Sequence, residues 1–346
     1  MKPLFKLVTA IFVIGILSTG TTVIAEEKTK EFNETWAAES IQTLEIVNKF
    51  GEIKVTNDGG SEITIDVTIT VEARDEKRAD DLLEQIEVEF STSGTTITAE
   101  TQIEKSFKSQ RKFSIDYEVN IPSDKNLKIS NKYGNTVVNT LNADGDFNIQ
   151  YGNLSAYELK ANEDGAMKIL LAYGNADVSS AANLDINVKY SNITLGEIKD
   201  LKLESKYSVV DIEEGGSIKM VSKYDKFNFE EIESLKATTK YSQIKIEELS
   251  KSLKIEAGYG GVKVAQVSPD FESISITNSY GKISLGLDDA SYSIDASCEY
   301  CGISYPEDNF TGNKMKERNT QTVVGKVGSE NGGTVKIKSR YGEIIL

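Results

Sequence analysis

Apolar and polar residues alternate along most of the chain after residue 126, in short segments that return at nearly constant intervals. The repeated unit reads apolar-x-apolar-x-x-Lys-Tyr-small-x-apolar-x-apolar, and one copy runs from Leu201 to Ile212. A two-residue period predicts β-strands, because successive strand side chains point to opposite faces of a sheet. Nothing in the repeats has helical spacing, so the pattern predicts an all-β chain.

A tyrosine marks each copy of the unit, and successive markers are 17 to 22 residues apart except for one interval of 41. A unit of this size cannot bury its own apolar face and must stack on copies of itself. We therefore predict a parallel β-helix, or β-solenoid, and expect a right-handed coil because parallel crossovers prefer that hand. The left-handed hexapeptide helix is the alternative, although its six-residue step is not kept. The marker residues are Tyr133, Tyr151, Tyr173, Tyr190, Tyr207, Tyr224, Tyr241, Tyr259, Tyr280, Tyr300 and Tyr341.

The direction of these tyrosines follows from parity if the alternation runs through them unbroken. Leu201, Ser205 and Tyr207 then share one face of the strand, and the chain turns a corner at Ser208, where many copies carry glycine. We accordingly expect the marker tyrosines to point inward and stack as a structural ladder. The small polar column at Ser205 should also point inward and hydrogen-bond the turn. Its other members are Asn48, Asn131, Ser222, Thr239, Asn278 and Ser339.

Residues 1–25 have the pattern of a secretory signal peptide. Two lysines precede an apolar run from Leu7 to Leu17, and the segment ends in Val23-Ile24-Ala25. The run is short for a bilayer-spanning helix, and no later stretch qualifies. We expect an exported protein, in the periplasm or at the surface of a bacterium, with no transmembrane segment in the mature chain.

Residues 26–125 carry only the edges of the repeat and are expected to form an N-terminal cap and excursion packed on the first turns. An early copy of the unit, Leu44–Val55, has Phe50 in place of the tyrosine. The excursion is predicted to contain strands at Glu62–Ala73, Thr96–Ile103 and Lys112–Ile121, and a helix at Asp75–Ile86.

Residues 126–346 are predicted to form the solenoid repeats, interrupted once at 306–322. That stretch is polar and contains the basic run Lys314-Met315-Lys316-Glu317-Arg318. We expect a long surface loop there, folded back over the last turn of the solenoid.

The Leu44–Val55 element, the strand–helix–strand excursion and the run of Lys-Tyr-Gly or Lys-Tyr-Ser turns resemble the family of putative adhesins. These are exported bacterial envelope proteins with a β-solenoid body, some described as auto-transporter-adhesin-like head domains. The resemblance covers nearly the whole mature chain. It implies a β-solenoid fold and an envelope location, and it brings no catalytic residues.

The amino-acid composition excludes several kinds of catalytic and metal-binding site. The sequence has no histidine, which excludes Ser-His-Asp and Cys-His catalysis and His-ligated metals. Its formal charge of -15 argues against a nucleic-acid partner. Two acidic columns repeat through the central units, and calcium or a solvated corner would each accommodate them. They are Glu197, Glu214, Glu231 and Glu248, beside Glu213, Glu230 and Glu247.

Lysine columns repeat beside the acids and could balance their charge. Their members are Lys189, Lys206, Lys223 and Lys240, with Lys202, Lys219 and Lys236. The cysteines form Cys298-Glu299-Tyr300-Cys301. A thioredoxin-like site would need a βαβ context, and a zinc site would need further ligands. A short disulfide between Cys298 and Cys301 and a pair of free thiols are the two remaining possibilities.

The sequence thus favours a non-catalytic exported envelope protein, an adhesin-like scaffold for protein or glycan contacts whose partner is unidentified. We assign no catalytic residue, no cofactor and no metal ligand. The alternative is a polysaccharide lyase or hydrolase, because right-handed β-helices host such enzymes. The near-constant 17-residue turns leave little loop from which to build a catalytic cleft.

Overall fold

The computed structural model describes residues 26–57, 59–161, 165, 167–329 and 332–346. Strand makes up 70% of the structure and helix 4%. The chain divides into two compact units, Met1–Met167 and Lys168–Leu346. The predicted signal peptide, residues 1–25, lies outside the described residues. No helix in the described ranges is long and apolar enough to cross a bilayer.

The described residues of the first unit form eleven strands, one α-helix and a 3-10 turn at Ala38–Ser40. The helix α1 spans Glu76–Leu83. The strands are β1 (Glu26–Ala37), β2 (Thr43–Lys49), β3 (Ile53–Thr56), β4 (Glu62–Ala73), β5 (Ile86–Ser93), β6 (Thr96–Ile103), β7 (Phe113–Asn120), β8 (Asn126–Lys132), β9 (Thr136–Leu141), β10 (Gly145–Gln150) and β11 (Asn153–Leu159). The strands predicted at Glu62–Ala73 and Thr96–Ile103 have the predicted bounds, whereas β1 and β5 were not predicted.

Strands of the first unit stack in parallel turns that end in an antiparallel cap. Strand β2 lies between β6 and β8, and β3 lies between β7 and β9, all in parallel register. Strand β4 then pairs antiparallel with both β7 and β1, and β5 pairs antiparallel with β6. The cap supplies hydrogen-bond partners to sheet edges that would otherwise be open to other chains.

Helix α1 covers the cap through one apolar stripe. Asp75 precedes it, and its carboxylate accepts a hydrogen bond of 2.9 Å from the backbone N–H of Arg78, which satisfies an N-terminal donor. Ala79, Leu82 and Leu83 are buried. Their spacing of three and four residues places them on one face, as the sequence predicts.

The second unit begins after Met167, the first residue of β12, and contains the regular part of the solenoid. A 3-10 turn occupies Glu307–Asn309. The strands are β12 (Met167–Ala172), β13 (Asn175–Lys189), β14 (Asn192–Lys206), β15 (Val209–Lys223), β16 (Lys226–Lys240), β17 (Gln243–Gly258), β18 (Val262–Val267), β19 (Ser273–Ser279), β20 (Ile283–Leu285), β21 (Tyr292–Glu299), β22 (Ile303–Ser304), β23 (Phe310–Glu317), β24 (Thr320–Val327), β25 (Gly333–Arg340) and β26 (Ile344–Ile345).

Equivalent residues of successive units pair directly across neighbouring strands. Leu201 of β14 is opposite Ile218 of β15, which is opposite Leu235 of β16. All three are buried, so the apolar columns fill the interior of the coil. The parallel, in-register β-solenoid predicted from the repeats is confirmed.

Near the C-terminal end, the spatial order of the turns departs from the sequence order. Strand β25 lies between β19 and β21, parallel to both, and β26 lies between β20 and β22. The last turn is therefore inserted between two turns that precede it in the chain. The expectation that it forms the end of the solenoid, covered by residues 306–322, is wrong.

Residues 310–327 form an antiparallel β-hairpin, β23–β24, and the prediction of a loop at 306–322 is wrong. Strand β24 pairs antiparallel with β21. The hairpin thus covers the edge of β21 rather than the last turn of the chain. Nearly every residue of β23 is exposed, so its sequence carries no alternation from which a strand could be predicted.

Candidate functional site: an exposed tyrosine ladder

Every marker tyrosine adopts a left-handed backbone conformation, with φ between 54° and 66°. One such residue interrupts the alternation, so that Lys206 and Tyr207 both face solvent while Ser205 and Ser208 are buried. The parity therefore changes at the tyrosine itself. The prediction that these rings point inward is wrong, because each marker tyrosine is 41–51% exposed.

The exposed rings stack face to face within each unit. In the second unit, neighbouring centroids are 4.8–5.1 Å apart and neighbouring planes differ by 2–15°. The spatial order is Tyr173, Tyr190, Tyr207, Tyr224, Tyr241, Tyr259, Tyr280, Tyr341 and Tyr300. The first unit stacks Phe50, Tyr133 and Tyr151 at 5.0–5.1 Å.

The stacking follows from the register of the strands. Equivalent residues of parallel, paired strands are about 4.8 Å apart, which brings planar rings into van der Waals contact. Within a stack, both faces of each internal ring are covered by its neighbours. The tyrosine ladder therefore presents ring edges and hydroxyl groups to solvent rather than open aromatic faces.

Buried polar side chains close the corners beneath the tyrosine ladder. The Asn278 side-chain amide donates hydrogen bonds to the carbonyl oxygens of Gly260 and Gly281, at 3.0 and 2.8 Å. Asn131 donates in the same way to Gly51, at 3.0 Å. All seven members of the predicted inward polar column are buried, and this part of the prediction is confirmed.

Asp225 occupies one corner, directly after Tyr224, and is only 5% exposed. Its carboxylate accepts hydrogen bonds from the backbone N–H groups of Ser208 and Lys223, at 2.7 and 2.8 Å. Burial raises the pKa of this carboxyl group, and the two hydrogen bonds oppose the rise only in part. No lysine or arginine of the described ranges lies within 4.0 Å of it, so the acid is buried without an ion-pair partner.

Cationic side chains lie over several rings of the tyrosine ladder. The Lys223 Nζ atom is 5.3 Å from the Tyr224 ring centroid, and the Arg340 guanidinium carbon is 5.2 Å from that of Tyr341. Both distances are within the range of cation–π attraction. The ladder is consequently an aromatic stripe bordered by positive charge.

Cys298 and Cys301 are joined by a disulfide that brackets Tyr300. Their Cα atoms are 5.4 Å apart, a usual separation for a disulfide. Cys298 takes the inward polar position and Cys301 the corner position, which Asn278 and Gly281 hold in an earlier turn. A covalent bond therefore closes this corner in place of an amide–carbonyl hydrogen bond.

The acidic columns lie at a different corner of the second unit. Glu197, Glu214, Glu231 and Glu248 are in register and line a groove of about 540 Å³. Across the part of the chain that the structure describes, no three Asp, Glu, His or Cys side chains come together in a way that could hold a metal ion. Glu247 of the second acidic column pairs with Lys245, which lowers the pKa of the Glu247 carboxyl.

The lysine columns do not balance these acids. Of the seven lysines named above, only Lys202 has a described carboxylate within 4.0 Å, and its partner is Asp185 at 2.8 Å rather than a residue of the acidic columns. The sequence reveals both sets of columns. The sequence does not show that the acidic columns and the lysine columns occupy separate surfaces. Their placement depends on the residue at which the inward–outward alternation of side chains changes.

Comparisons with known proteins give similarity of fold only. No protein-family model matches the sequence, and no curated protein matches it. Among solved structures, a putative cell adhesion protein from Clostridium sporogenes aligns over 92% of this chain and 98% of its own, at 11% identity and a TM-score of 0.26.

Two structures from Parabacteroides distasonis are also similar. A putative adhesin aligns over 74% of this chain and 96% of its own, at 11% identity and a TM-score of 0.39. A putative lipid binding protein aligns over the same shares, at 12% identity and a TM-score of 0.37. The description "putative adhesin" of the first of these structures is also that of the family that the repeats resemble.

Proposed function

We propose that this chain is a non-catalytic, exported protein of a bacterial cell envelope, located in the periplasm or at the cell surface. It acts as an adhesin-like scaffold that contacts a protein or a glycan. The observation that carries this proposal is the tyrosine ladder, whose rings are about half exposed along the second unit.

A contiguous row of exposed aromatic side chains is unusual on a protein surface and is typical of interaction sites. Tyrosine is also among the residues that contribute most to binding energy at protein interfaces. A groove of about 690 Å³ runs beside Tyr190, Tyr207, Tyr224 and Tyr241 and is floored by the small corner residues. Its repeating walls suit an extended partner better than a compact small molecule.

The proposed lack of catalysis is supported by the regularity of the chain. The sequence contains no histidine, and the carboxylates of the central turns stand in uniform columns. A catalytic centre instead needs a few groups with different environments that converge on one bond.

The test is a binding screen of the purified protein against immobilised envelope glycans and envelope proteins. The variant Tyr207→Asn, Tyr224→Asn, Tyr241→Asn removes three central rings, and asparagine tolerates the left-handed backbone. We expect this variant to lose at least about ten-fold in affinity for any ligand found, roughly the effect of removing one hot-spot side chain.

The matched control is Tyr157→Asn, since Tyr157 is 66% exposed and lies outside the tyrosine ladder. Its affinity should stay within two-fold of the unchanged protein. If the triple variant and the unchanged protein bind with equal affinity, the tyrosine ladder is not the binding surface. Turnover of a polysaccharide that depends on one carboxylate would replace the proposal with the enzyme alternative.

A further inference from the structure

Two columns of lysines run in register along the outer face of β14, β15 and β16. Lys202, Lys219 and Lys236 form one column, and each is paired directly with the next across neighbouring strands. Lys206, Lys223 and Lys240 form the other column, four residues further along each strand and next to the tyrosine ladder. All six side chains are exposed. We call this surface the lysine trough.

The floor of the lysine trough lies between the two columns and is nearly uncharged. Its outward residues are Glu204, Val221 and Thr238, and Val221 is 59% exposed. These residues and the column next to the ladder border a depression of about 390 Å³. One lysine column therefore borders a shallow depression, and the register of the strands places the other column on the far side of its floor.

This arrangement is electrostatically unfavourable in the isolated chain. Like charges directly opposite one another on neighbouring strands destabilise a sheet. Lys202 pairs with Asp185, but no described carboxylate lies within 4.0 Å of the other five lysines. Glu204 is the one acid on the floor, and it accepts a hydrogen bond of 3.2 Å from Asn187.

The chain as a whole has an excess of acids, with 54 against 39 basic residues. Random placement would mix the two signs on every face. Here six lysines lie on one face, and the glutamate columns occupy another corner. This separation places like charges opposite one another on neighbouring strands, which destabilises the sheet. Local conflicts of this kind are found at functional sites.

We propose that the lysine trough binds a linear acidic polysaccharide, laid along the stack of strands with its carboxylates between the two lysine columns. The ligand is a polymer because the ammonium groups repeat at the strand spacing of about 4.8 Å. That is close to the length of one pyranose residue in an extended chain. This inference rests on the proposed binding function and specifies its ligand class.

The side-chain chemistry of the trough favours this ligand over a nucleic acid. The trough contains no arginine, the residue that most often makes bidentate contacts with phosphate. Lysine supplies a hydrated point charge, which suits single carboxylates spaced along a sugar chain. The hydroxyl groups of the neighbouring tyrosines can hydrogen-bond the sugar.

The experiment measures binding of the purified protein to polygalacturonate, with the fully methyl-esterified polymer as the neutral probe and a single-stranded oligonucleotide as the phosphate probe. We expect binding to polygalacturonate that weakens as salt is raised from 20 to 200 mM, since exposed charges are screened. Binding to the neutral polymer should be at least about ten-fold weaker. Equal binding to the oligonucleotide or to the neutral polymer overturns the proposal.

Two triple variants with the same change of charge locate the site. The first variant carries Lys206→Gln, Lys223→Gln and Lys240→Gln, which together remove one column of the trough. Its affinity for polygalacturonate should fall at least about ten-fold. The control variant carries Lys245→Gln, Lys263→Gln and Lys282→Gln, three exposed lysines after the tyrosine corner, and its affinity should stay within two-fold. Equal losses in both variants would show a non-specific charge effect and overturn the site.

The outcomes also separate this inference from the proposed function. If the protein binds a neutral glycan or an envelope protein through its tyrosines but not polygalacturonate, the scaffold proposal stands and the trough proposal falls. If it binds no member of any panel, both fall.

Discussion

A tyrosine in the left-handed region is strained, because its Cβ approaches the following carbonyl oxygen at a cost of roughly 1–2 kcal/mol. The ladder offsets this strain. Tyr207 stacks on Tyr190 and Tyr224 with centroids 4.9 Å from each, and an aromatic pair contributes about 0.5–1.5 kcal/mol. The two stacking contacts of Tyr207 together contribute about 1–3 kcal/mol, which is enough to offset the strain.

Replacing Tyr207 by asparagine tests this balance. Asparagine removes two stacking contacts but relieves backbone strain, so the free energy of unfolding should fall by only about 1–2 kcal/mol. Tyr300→Asn should cost less than about 1 kcal/mol, since Tyr300 stacks on Tyr341 alone among the described rings and the same backbone strain is relieved. Urea unfolding measures both. A loss near the 3–5 kcal/mol typical of a deleted core aromatic would mean that the ring behaves as buried.

Asp225 makes stability depend on pH. Its folded-state pKa is raised above the unfolded value by burial, so the folded chain holds this proton more tightly. The resulting stabilisation is present below the unfolded pKa of 3.8 and is lost as pH rises through the folded pKa. Asp225→Ser places a hydroxyl there, as Ser208 and Ser242 do in the adjoining turns.

We expect Asp225→Ser to gain stability relative to the unchanged protein as pH is raised from 3 to 7. Urea midpoints of the two proteins, measured in parallel across this range, isolate the effect of Asp225 from that of other carboxyl groups. Ser208→Ala leaves the carboxyl in place and should show no such trend. A difference between Asp225→Ser and the unchanged protein that stays constant with pH would contradict the raised pKa.

At the scale of residues, the sequence reveals which positions repeat but not which way they all point. The spacing of Tyr190, Tyr207 and Tyr224 identifies one column. Strict alternation then places that column inside, and a single left-handed residue reverses the result. No propensity predicts this conformation for tyrosine, because only neighbouring rings in adjacent turns compensate for it.

The strands and their corners use two different closures. In some turns, an inward asparagine donates to the carbonyl oxygens of corner glycines, as Asn278 does. In the 17-residue turns, a corner serine or aspartate accepts a backbone N–H from the preceding turn, as Asp225 does from Ser208. The glycine corner packs backbone directly on backbone, whereas the serine corner leaves room for a side chain.

Gly281→Ala should therefore be destabilising. A Cβ atom there would lie 1.9 Å from the carbonyl oxygen of Gly260, so the backbone must move at a cost of roughly 1–3 kcal/mol or more. Gly258→Ala is the control, because its Cβ would meet nothing within 4 Å. It should stabilise slightly, by about 0.5–1 kcal/mol, since alanine loses less backbone entropy in a strand. Equal thermal midpoints for the two variants would contradict the packing of the glycine corner.

The sequence predicts a strand correctly where one face of the strand is buried. It does not predict a strand whose two faces are both exposed. Strand β4 alternates because its inner face lies on the core, and its bounds were predicted. Strand β23 is exposed along almost its whole length, so no hydrophobic period marks it. Strand β23 is held in place by its pairing with β24 rather than by burial of its side chains.

At the scale of the molecule, each of the two units carries antiparallel pairs at an edge of its own strand stack. In the first unit, these include β4 on β7 and β5 on β6, and in the second unit, β24 on β21. A bare edge of parallel strands would present unpaired N–H and C=O groups to any other chain. The antiparallel strands satisfy these groups without extending the repeat.

Deleting residues 307–329 removes the hairpin and exposes the edge of β21. We expect this variant to self-associate more strongly than the unchanged protein, seen as a sedimentation coefficient that rises with concentration. Inserting two glycines after Arg318 lengthens the hairpin turn but keeps β24 in place, and this control should behave like the unchanged protein. Identical sedimentation of the deletion variant and the control would contradict the covering role.

The order of the turns could not be predicted from the sequence. Sequential strands usually lie side by side, and that rule places the turn of Tyr341 after the turn of Tyr300. Repeats that share one register can pair with any other repeat. The local pattern therefore contains no signal that β25 lies between β19 and β21 instead of following β21. The 41-residue interval shows only that something is inserted between the two tyrosines.

The inserted strand β25 has a consequence for biosynthesis. The ribosome delivers β19 and β21 before β25, yet β25 lies between them. These two strands cannot reach their final separation until residues 333–340 are available to pair with both of them. Any earlier pairing of β19 with β21 would have to open again. The C-terminal part of the second unit therefore completes its fold only when the whole of β25 is available to pair.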